Sequence, residues 1–229
     1  MLNDTSKKDI RTLGYVLRRT NYGEADRILN LITPQGKISV IAKGVRKEKS
    51  KLAGGIEMFT LTDFNIHLGR SEFGTVTGAK MQKYYGNIIK DLNKMELAAV
   101  ILKKVNKAAE GSNNPEYFNI VDQSLMGLNS YQNVSLVEAW YLMNLTKATG
   151  EEINLYRDLN GEKLMVDQKY SWDALDSAFV KNDQGEFDTD KIKMLRLILA
   201  VDLEVAGRIK TDDGMMEGVL WLARTTSKV

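Results

Sequence analysis

The sequence predicts an α+β protein, in which an N-terminal five-stranded barrel is followed by a mostly α-helical domain with a small β-hairpin. Up to about residue 83, apolar residues alternate with polar ones or form short runs between turn residues, which is typical of strands. From residue 87 onward they recur every three or four residues, which is typical of helices. The charge changes at the same place. Residues 1–86 hold 15 Lys and Arg against 8 Asp and Glu, whereas residues 87–229 hold 17 against 22.

The first two predicted strands form a hairpin. Leu13, Tyr15 and Leu17 stand at alternate positions, so we expect them on the buried face of the first strand. A second, nearly continuously apolar strand is predicted over residues 25–33. The turn residues 34–36, Pro-Gln-Gly, then lead into a third strand.

The third and fourth strands are predicted on either side of a loop at residues 43–55. Alternate apolar residues from Ile38 to Ala42 indicate the third strand. In the fourth, apolar residues occupy odd positions up to Leu61 and even positions from Phe64 onward. Such a change of phase within one strand indicates a β-bulge or a bend.

A fifth strand is predicted over residues 73–81. Five short strands, one of them bent, favour a small closed barrel. The oligonucleotide-binding barrel, or OB-fold, has this number of strands. The strand spacing fits another five-stranded barrel, such as an SH3-like one, equally well.

Three helices are predicted next. The first has an apolar stripe that includes Val100, Ile101 and Val105. Its opposite side is expected to carry Lys103, Lys104 and Lys107. The second is expected to begin at Asn114-Pro115, because Asn caps helices and Pro is tolerated at their first position. For the third, the residues 135–138, Ser-Leu-Val-Glu, fit a capping box.

The rest of the chain is predicted to contain a hairpin and further helices. Asn160-Gly161 is a typical two-residue hairpin turn, because both positions accept a positive φ. A short helix is predicted over residues 171–180, and later helices over residues 192–201 and 218–223. We therefore place the domain boundaries at residues 1–84 and 85–229, with a cysteine-free hairpin region at about 151–187.

Composition excludes several classes of protein. No apolar run approaches the roughly 20 residues that span a bilayer, and residues 1–9 contain no apolar signal-peptide core, so we expect a cytoplasmic protein without membrane association. The absence of cysteine excludes disulfides, a thiolate nucleophile and a cysteine zinc site.

We predict no enzyme and no catalytic residue. The only histidine, His67, stands at a position of opposite parity to Phe64 and Ile66, so it is expected on the solvent side of its strand. Gly36-Lys37 lacks the other residues of a phosphate-binding loop. The acidic residues of the second half show no metal-ligand spacing.

Binding chemistry is concentrated in the loop at residues 43–55, which we call the basic loop. Its residues 43–51 include five basic residues and one acidic residue. Cations on a barrel surface neutralise phosphates without reading sequence, and an exposed aromatic ring stacks on bases. The residues predicted to bind nucleic acid are Arg18, Arg19, Tyr22, Lys43, Arg46, Lys47, Lys49, Lys51 and Arg70. Gly54 and Gly55 are expected to shape the return of the loop into the barrel.

Several motifs resemble those of the bacterial recombination mediator family RecO. In chain order they are Gly14-Tyr-Val-Leu-Arg-Arg19, Tyr22-Gly-Glu-Ala-Asp-Arg-Ile-Leu29, Gly36-Lys-Ile-Ser-Val-Ile-Ala-Lys-Gly-Val-Arg46, Lys49-Ser-Lys-Leu-Ala-Gly-Gly55 and Gly69-Arg-Ser71. The resemblance is dense over residues 10–80. It is thinner in the second half, where it depends on Leu195-Arg-Leu-Ile-Leu199 and Gly207-Arg-Ile-Lys-Thr211.

This resemblance implies an N-terminal OB-fold, a C-terminal helical domain and activity without turnover. It implies binding of single- and double-stranded DNA, annealing of complementary strands, and help for the recombinase in displacing single-strand-binding protein. The implied partners are RecR, in some members RecF, and the C-terminal tail of single-strand-binding protein. The basic residues predicted above lie on the barrel, where the family contacts DNA. Lys103, Lys104 and Lys107 are candidates for receiving the acidic tail.

One departure from the family concerns zinc. Many members carry a four-cysteine zinc module at about the place of residues 151–187, and this chain has no cysteine, so we expect no cofactor. Two other functions remain open. One is a protein adaptor that recruits RecR-like and single-strand-binding-protein partners with only weak DNA contact, and the other is an OB-type RNA binder.

Overall fold

The computed structural model describes residues 8–69, 73–131 and 133–228. The strands in these ranges are β1 Lys8–Tyr22, β2 Asp26–Thr33, β3 Gly36–Ala42, β4 Thr60–Leu68, β5 Gly74–Tyr84, β6 Tyr170–Asp173 and β7 Ala178–Lys181. The α-helices are α1 Leu92–Ala108, α2 Glu116–Ser130, α3 Val134–Ala148, α4 Thr189–Ala200, α5 Leu203–Ala206 and α6 Asp213–Thr226.

Strands β1 to β5 close into a barrel in the order β1-β2-β3-β5-β4. The long β1 pairs antiparallel with both β2 and β4, and β3 pairs with β5 in parallel through Val40–Gly74 and Ile41–Thr75. The five-stranded OB-fold barrel predicted from the sequence is therefore confirmed, as is the α+β class. The register of β4 against β5 shifts after Leu61 and after Asn65, which confirms the predicted irregularity.

The barrel interior is filled by a continuous apolar cluster. Its buried members are Val16, Leu29, Leu31, Val40, Ala42, Val45, Ile56, Phe64, Ile66 and Val76. The prediction for β1 was right in part: Tyr15 and Leu17 are buried as expected, although outside this cluster. Val16 faces the cluster instead, and Leu13 is 40% exposed. The register of β1 against β2 shifts between Val16 and Arg18, so a single alternation does not hold along the strand.

The chain divides into two compact units, with the boundary after Leu125, inside α2. In the first unit, helical residues cover the outer face of β1. The Tyr15 ring lies 5.6 Å from that of Phe118, and its hydroxyl donates to the Asp122 carboxylate. The same hydroxyl lies 2.9 Å from that of Tyr85. Burial, the nearby Tyr85 and the hydrogen bond to Asp122 raise the pKa of Tyr15.

Helix α1 buries a stripe that differs in part from the predicted one. Ile101 and Val105 are buried as expected, together with Ala98 and Leu102, but Val100 is 41% exposed. Helix α2 follows Asn114-Pro115 as predicted, and the Asn114 side chain accepts a hydrogen bond from the N–H of Glu116.

In the second unit α3 is the central helix, with nine buried residues. The predicted capping box was wrong. The side chain of Asn133 caps α3 by accepting from the N–H of Leu136 at 3.0 Å. Glu138 instead forms a two-pronged ion pair with Arg224 of α6, with both N–O distances 2.7 Å.

The small hairpin of the second unit lies later than predicted. The residues 171–180, predicted as a helix, form β6, a turn and β7, so that prediction was wrong. Asp173 accepts hydrogen bonds from the N–H groups of Leu175 and Asp176, and Ser177 has a φ of 50°, so the chain reverses there. Around Gly161 the expected turn is present, but only one bridge, Arg157–Lys163, flanks it.

Candidate nucleic-acid interface

The basic loop is built into the barrel by three apolar residues. Val45 and Ile56 are buried in the barrel cluster, and Leu52 packs against it. Because these residues stand at both ends of the loop, the chain between them is anchored to the barrel core. Gly55 is buried against β5, and a Cβ atom there would lie 2.5 Å from the Ala79 carbonyl oxygen. Gly55 is therefore required by space, as expected, whereas Gly54 has open space around it.

The loop is also tied to the hairpin that joins β1 and β2. The Asp26 carboxylate accepts from the N–H of Gly44 at 2.7 Å, and Gly44 has a φ of +63°, which favours glycine. The N–H of Arg46 donates to the carbonyl of Ala25 at 2.9 Å, and its guanidinium donates to that of Gly23 at 3.2 Å. The loop therefore has a defined position beside Tyr22.

Four lysines of the loop carry uncompensated charge. Lys43, Lys47, Lys49 and Lys51 are all exposed, and within the described residues no carboxylate lies within ion-pair distance of them. Since the apolar residues hold the backbone, the lysines are free to reach a polyanion. This is the densest group of unpaired cations that the described part of the barrel presents.

The predicted residues of β1 occupy different environments. Arg18 is exposed and lies opposite Asn30 of β2, and Tyr22 is 55% exposed at the end of the strand. Arg19 forms an ion pair with Glu57 at 2.9 Å, so part of its charge is compensated. Arg70 lies outside the described residues.

Between Arg18 and Tyr22, one row of residues crosses the outer face of the barrel. Thr20 of β1, Ile28 of β2, Ile41 of β3, Thr75 of β5 and His67 of β4 are register neighbours in succession. Ile28 and Ile41 are half-buried, and Thr20 is exposed. The row is a shallow, weakly polar surface bordered by cations. The sequence analysis did not assign Ile28 and Ile41 to the outer face of the barrel. Their positions alternate with those of the core residues Leu29 and Val40, and this alternation could have indicated the outer face.

The three lysines of α1 do not share one face. Lys103 and Lys107 are exposed, whereas Lys104, about 100° further around the helix, is half-buried. Nothing in the structure tests whether they receive an acidic tail, so that assignment stays a prediction.

A second polar cluster lies on the face formed by β1, β4 and β5. Arg11 makes a forked ion pair with Asp63, with N–O distances of 2.5 to 3.0 Å. The hydrogen bonds from Arg11 hold the pKa of Asp63 below its ordinary value. Since each charge compensates the other, this cluster attracts phosphate less than the basic loop does.

No group of three or more His, Asp or Glu side chains suited to a metal ion occurs in the ranges 8–69, 73–131 and 133–228. Within the same ranges, no helix combines the length and the apolar character that crossing a bilayer requires.

The comparisons with known proteins agree on one family. The family model described as "Recombination protein O N terminal" matches residues 8–85, and "Recombination protein O C terminal" matches residues 89–224. A DNA repair protein RecO of Alkaliphilus metalliredigens is 37% identical over 51% of this chain and 48% of its own length. One of Dehalococcoides mccartyi is 31% identical over 72% and 66%, and one of Roseiflexus is 27% identical over 87% and 73%. The match therefore spans about half to two thirds of the first two relatives.

Proposed function

The chain belongs to the recombination protein O family of DNA repair proteins, and we propose that it is a DNA-binding recombination mediator. In this role it anneals complementary strands and helps to load the recombinase onto single-stranded DNA coated with single-strand-binding protein. Binding and annealing need no covalent step, so we propose that it is not an enzyme. It acts in the cytoplasm, where the bacterial chromosome lies.

One observation carries the DNA-binding part of this proposal. Lys43, Lys47, Lys49 and Lys51 project from a loop whose backbone is fixed, and no described carboxylate pairs with them. Fixed cations bind phosphates and leave the base edges uncovered. A strand held in this way stays available for pairing with its complement, which is what annealing requires.

Partners and cofactors are proposed from family membership. We propose contacts with RecR, in some settings RecF, and the acidic tail of single-strand-binding protein. We propose no cofactor, since the chain has no cysteine with which to build the family's zinc module. The adaptor and RNA-binding alternatives are decided by the experiment below.

The test replaces all four loop lysines by Gln and measures the affinity for a fluorescent single-stranded oligonucleotide across a salt series. The matched control replaces Lys147, Lys163, Lys181 and Lys193, which are exposed in the second unit and give the same change in net charge. The salt slope is the slope of log K against log salt concentration, and each phosphate contact with a single strand contributes about 0.7 to its magnitude. In the loop variant this magnitude is expected to be smaller by up to about 3. The control variant is expected to keep most of it.

Three results would count against the proposal. Equal salt slopes for the loop variant and wild type would show that the basic loop is not part of the DNA site. Annealing by the loop variant at the wild-type rate, with recruitment of both protein partners intact, would favour the adaptor. Tighter binding of RNA than of DNA of equal length would favour the RNA binder.

A further inference from the structure

The C-terminal end of helix α1 is bound to two strands of the barrel. Near its C-terminal end, the Lys37 ammonium of β3 forms an ion pair with Glu110 and donates to the carbonyl of Asn106 at 2.7 Å. One turn earlier than Glu110, the Asn106 side chain accepts from the amide of Asn30 on β2 at 3.1 Å. Asn106 therefore contacts both β3 and β2, so the last turn of α1 lies over these two neighbouring strands.

Helix α1 also contacts β1. The strand order places β1 on the far side of β2 from β3, and Arg18 is the β1 residue directly opposite Asn30. Lys103 precedes Asn106 by three residues and so lies on the same flank of the helix. Asn106 contacts Asn30, the strand neighbour of Arg18, and Lys103 and Lys107 are exposed residues close to Asn106 on the helix.

The face of α1 that carries Lys103 and Lys107 has a net positive charge once the ion-paired residues are left out. Glu110 is paired with Lys37, whose side chain is only 7% exposed. Lys103 and Lys107 are exposed, and no carboxylate in the described part of the chain pairs with them. Towards the start of α1, the exposed acidic residue Glu96 lies two turns before Lys103 and limits this positive face.

We infer that Lys103 and Lys107 bind the phosphate backbone of the same single strand that the basic loop holds. The strand follows β1 from Tyr22 to Arg18, about 13 Å, and then reaches α1. This inference deepens the proposed function and depends on it. It assigns to the DNA site a helix of the segment that follows the barrel, and it separates Lys103 and Lys107 from Lys104.

The first test compares Lys103→Gln, Lys107→Gln and the double variant with Lys104→Gln. All four keep good helix formers, and Lys104 is the neighbouring charge on the other flank. Each of the first two changes is expected to weaken binding of a long single strand about 3- to 10-fold and to lower the salt slope by about 0.7. Lys104→Gln is expected to have less than half of that effect on both quantities. Thermal unfolding of each variant checks that the fold is kept.

A second test uses the absence of cysteine from the chain. Lys103→Cys creates a single labelling site, and a fluorophore there is expected to change its emission when a long strand binds. A strand too short to extend beyond the basic loop is expected to bind without that change. The same label at Lys104→Cys is the control.

The outcomes separate this inference from the proposed function. If the loop variant loses DNA affinity but Lys103→Gln and Lys107→Gln keep it, the inference is overturned and DNA binding by the barrel stands. The inference is likewise overturned if those two variants lose only the binding of an acidic peptide. If wild type itself binds DNA without a salt slope, the proposed function fails first.

Discussion

The Asp26 carboxylate accepts a hydrogen bond from the N–H of Gly44 at 2.7 Å, and this contact fixes the first turn of the basic loop to the start of β2. Asp26→Ala is expected to free that turn and to lower the free energy of unfolding by about 1 kcal/mol. It should also weaken DNA binding modestly, because the loop must then be ordered on binding. Asp26→Asn makes the same change in charge but keeps an acceptor, so it should retain most of the affinity. If the two variants behave alike, charge and not loop order is the cause.

Gly55 and Gly54 are predicted to differ although they are adjacent. A Cβ atom on Gly55 would lie 2.5 Å from the Ala79 carbonyl oxygen and 2.6 Å from its Cβ, so Gly55→Ala must displace β5. We expect Gly55→Ala to cost about 1 to 3 kcal/mol in urea unfolding. Gly54→Ala meets no atom within 4 Å and is expected to be neutral. Equal costs would show that the loop packs differently against the barrel.

Tyr15 makes the barrel sensitive to high pH. Its folded pKa is raised above the ordinary value of 10.0, so the unfolded state releases the phenolic proton first. The stabilisation is full below about pH 10 and is lost as the pH rises above it. At pH 7, Tyr15→Phe should cost about 1 to 3 kcal/mol by removing the contacts to Tyr85 and Asp122. This difference between wild type and variant should shrink in unfolding curves measured at increasing alkaline pH, and a constant difference would contradict the account.

The N-cap of α3 gives a simple stability test. Asn133→Ala should lower the free energy of unfolding by about 1 kcal/mol, because the N–H of Leu136 loses its acceptor. Ser135→Ala is the control, since Ser135 lies inside the helix and does not cap it. If Ser135→Ala proves the more costly change, the helix begins at the residue that the sequence suggested.

The β6–β7 hairpin is predicted to be stable without metal. The Phe179 ring lies 5.1 Å from that of Trp172, 5.4 Å from Phe187 and 6.3 Å from Tyr170, all edge-on. Phe179→Ala is expected to cost about 3 to 5 kcal/mol by removing the centre of this cluster. A strong chelator such as EDTA should leave the Tm of wild type unchanged. A fall in Tm with EDTA would mean that a metal ion stabilises the fold.

The barrel could be predicted from the sequence because its turns and its change of phase are local signals. The face of β1 could not, because both sides of the strand are covered where Tyr15 and Val16 lie: Val16 faces the barrel core and Tyr15 faces Phe118. When apolar residues occupy both parities, alternation does not distinguish the two faces. The bulge before Arg18 adds a further shift.

The hairpin at β6 and β7 illustrates a different limit. Strands of four residues are too short for a reliable period, and Trp172 and Phe179 are compatible with either a strand or a helix. The decisive features are the local hydrogen bonds of Asp173 and the positive φ of Ser177, and a search for apolar periodicity detects neither of them. Likewise, the cations of the basic loop were visible in the sequence, but the contact of Asn106 in α1 with Asn30, the strand neighbour of Arg18, required the structure.

In the basic loop, the residues that pack against the barrel differ from the residues that are proposed to bind DNA. Val45 and Ile56 are buried in the barrel core and Leu52 packs against it, whereas the loop lysines Lys43, Lys47, Lys49 and Lys51 are exposed. A lysine can therefore be exchanged for another polar residue without disturbing the packing. Mutations can therefore add or remove these charges one at a time. Such changes adjust the affinity for DNA to the salt concentration of the cell and leave the melting temperature nearly unchanged.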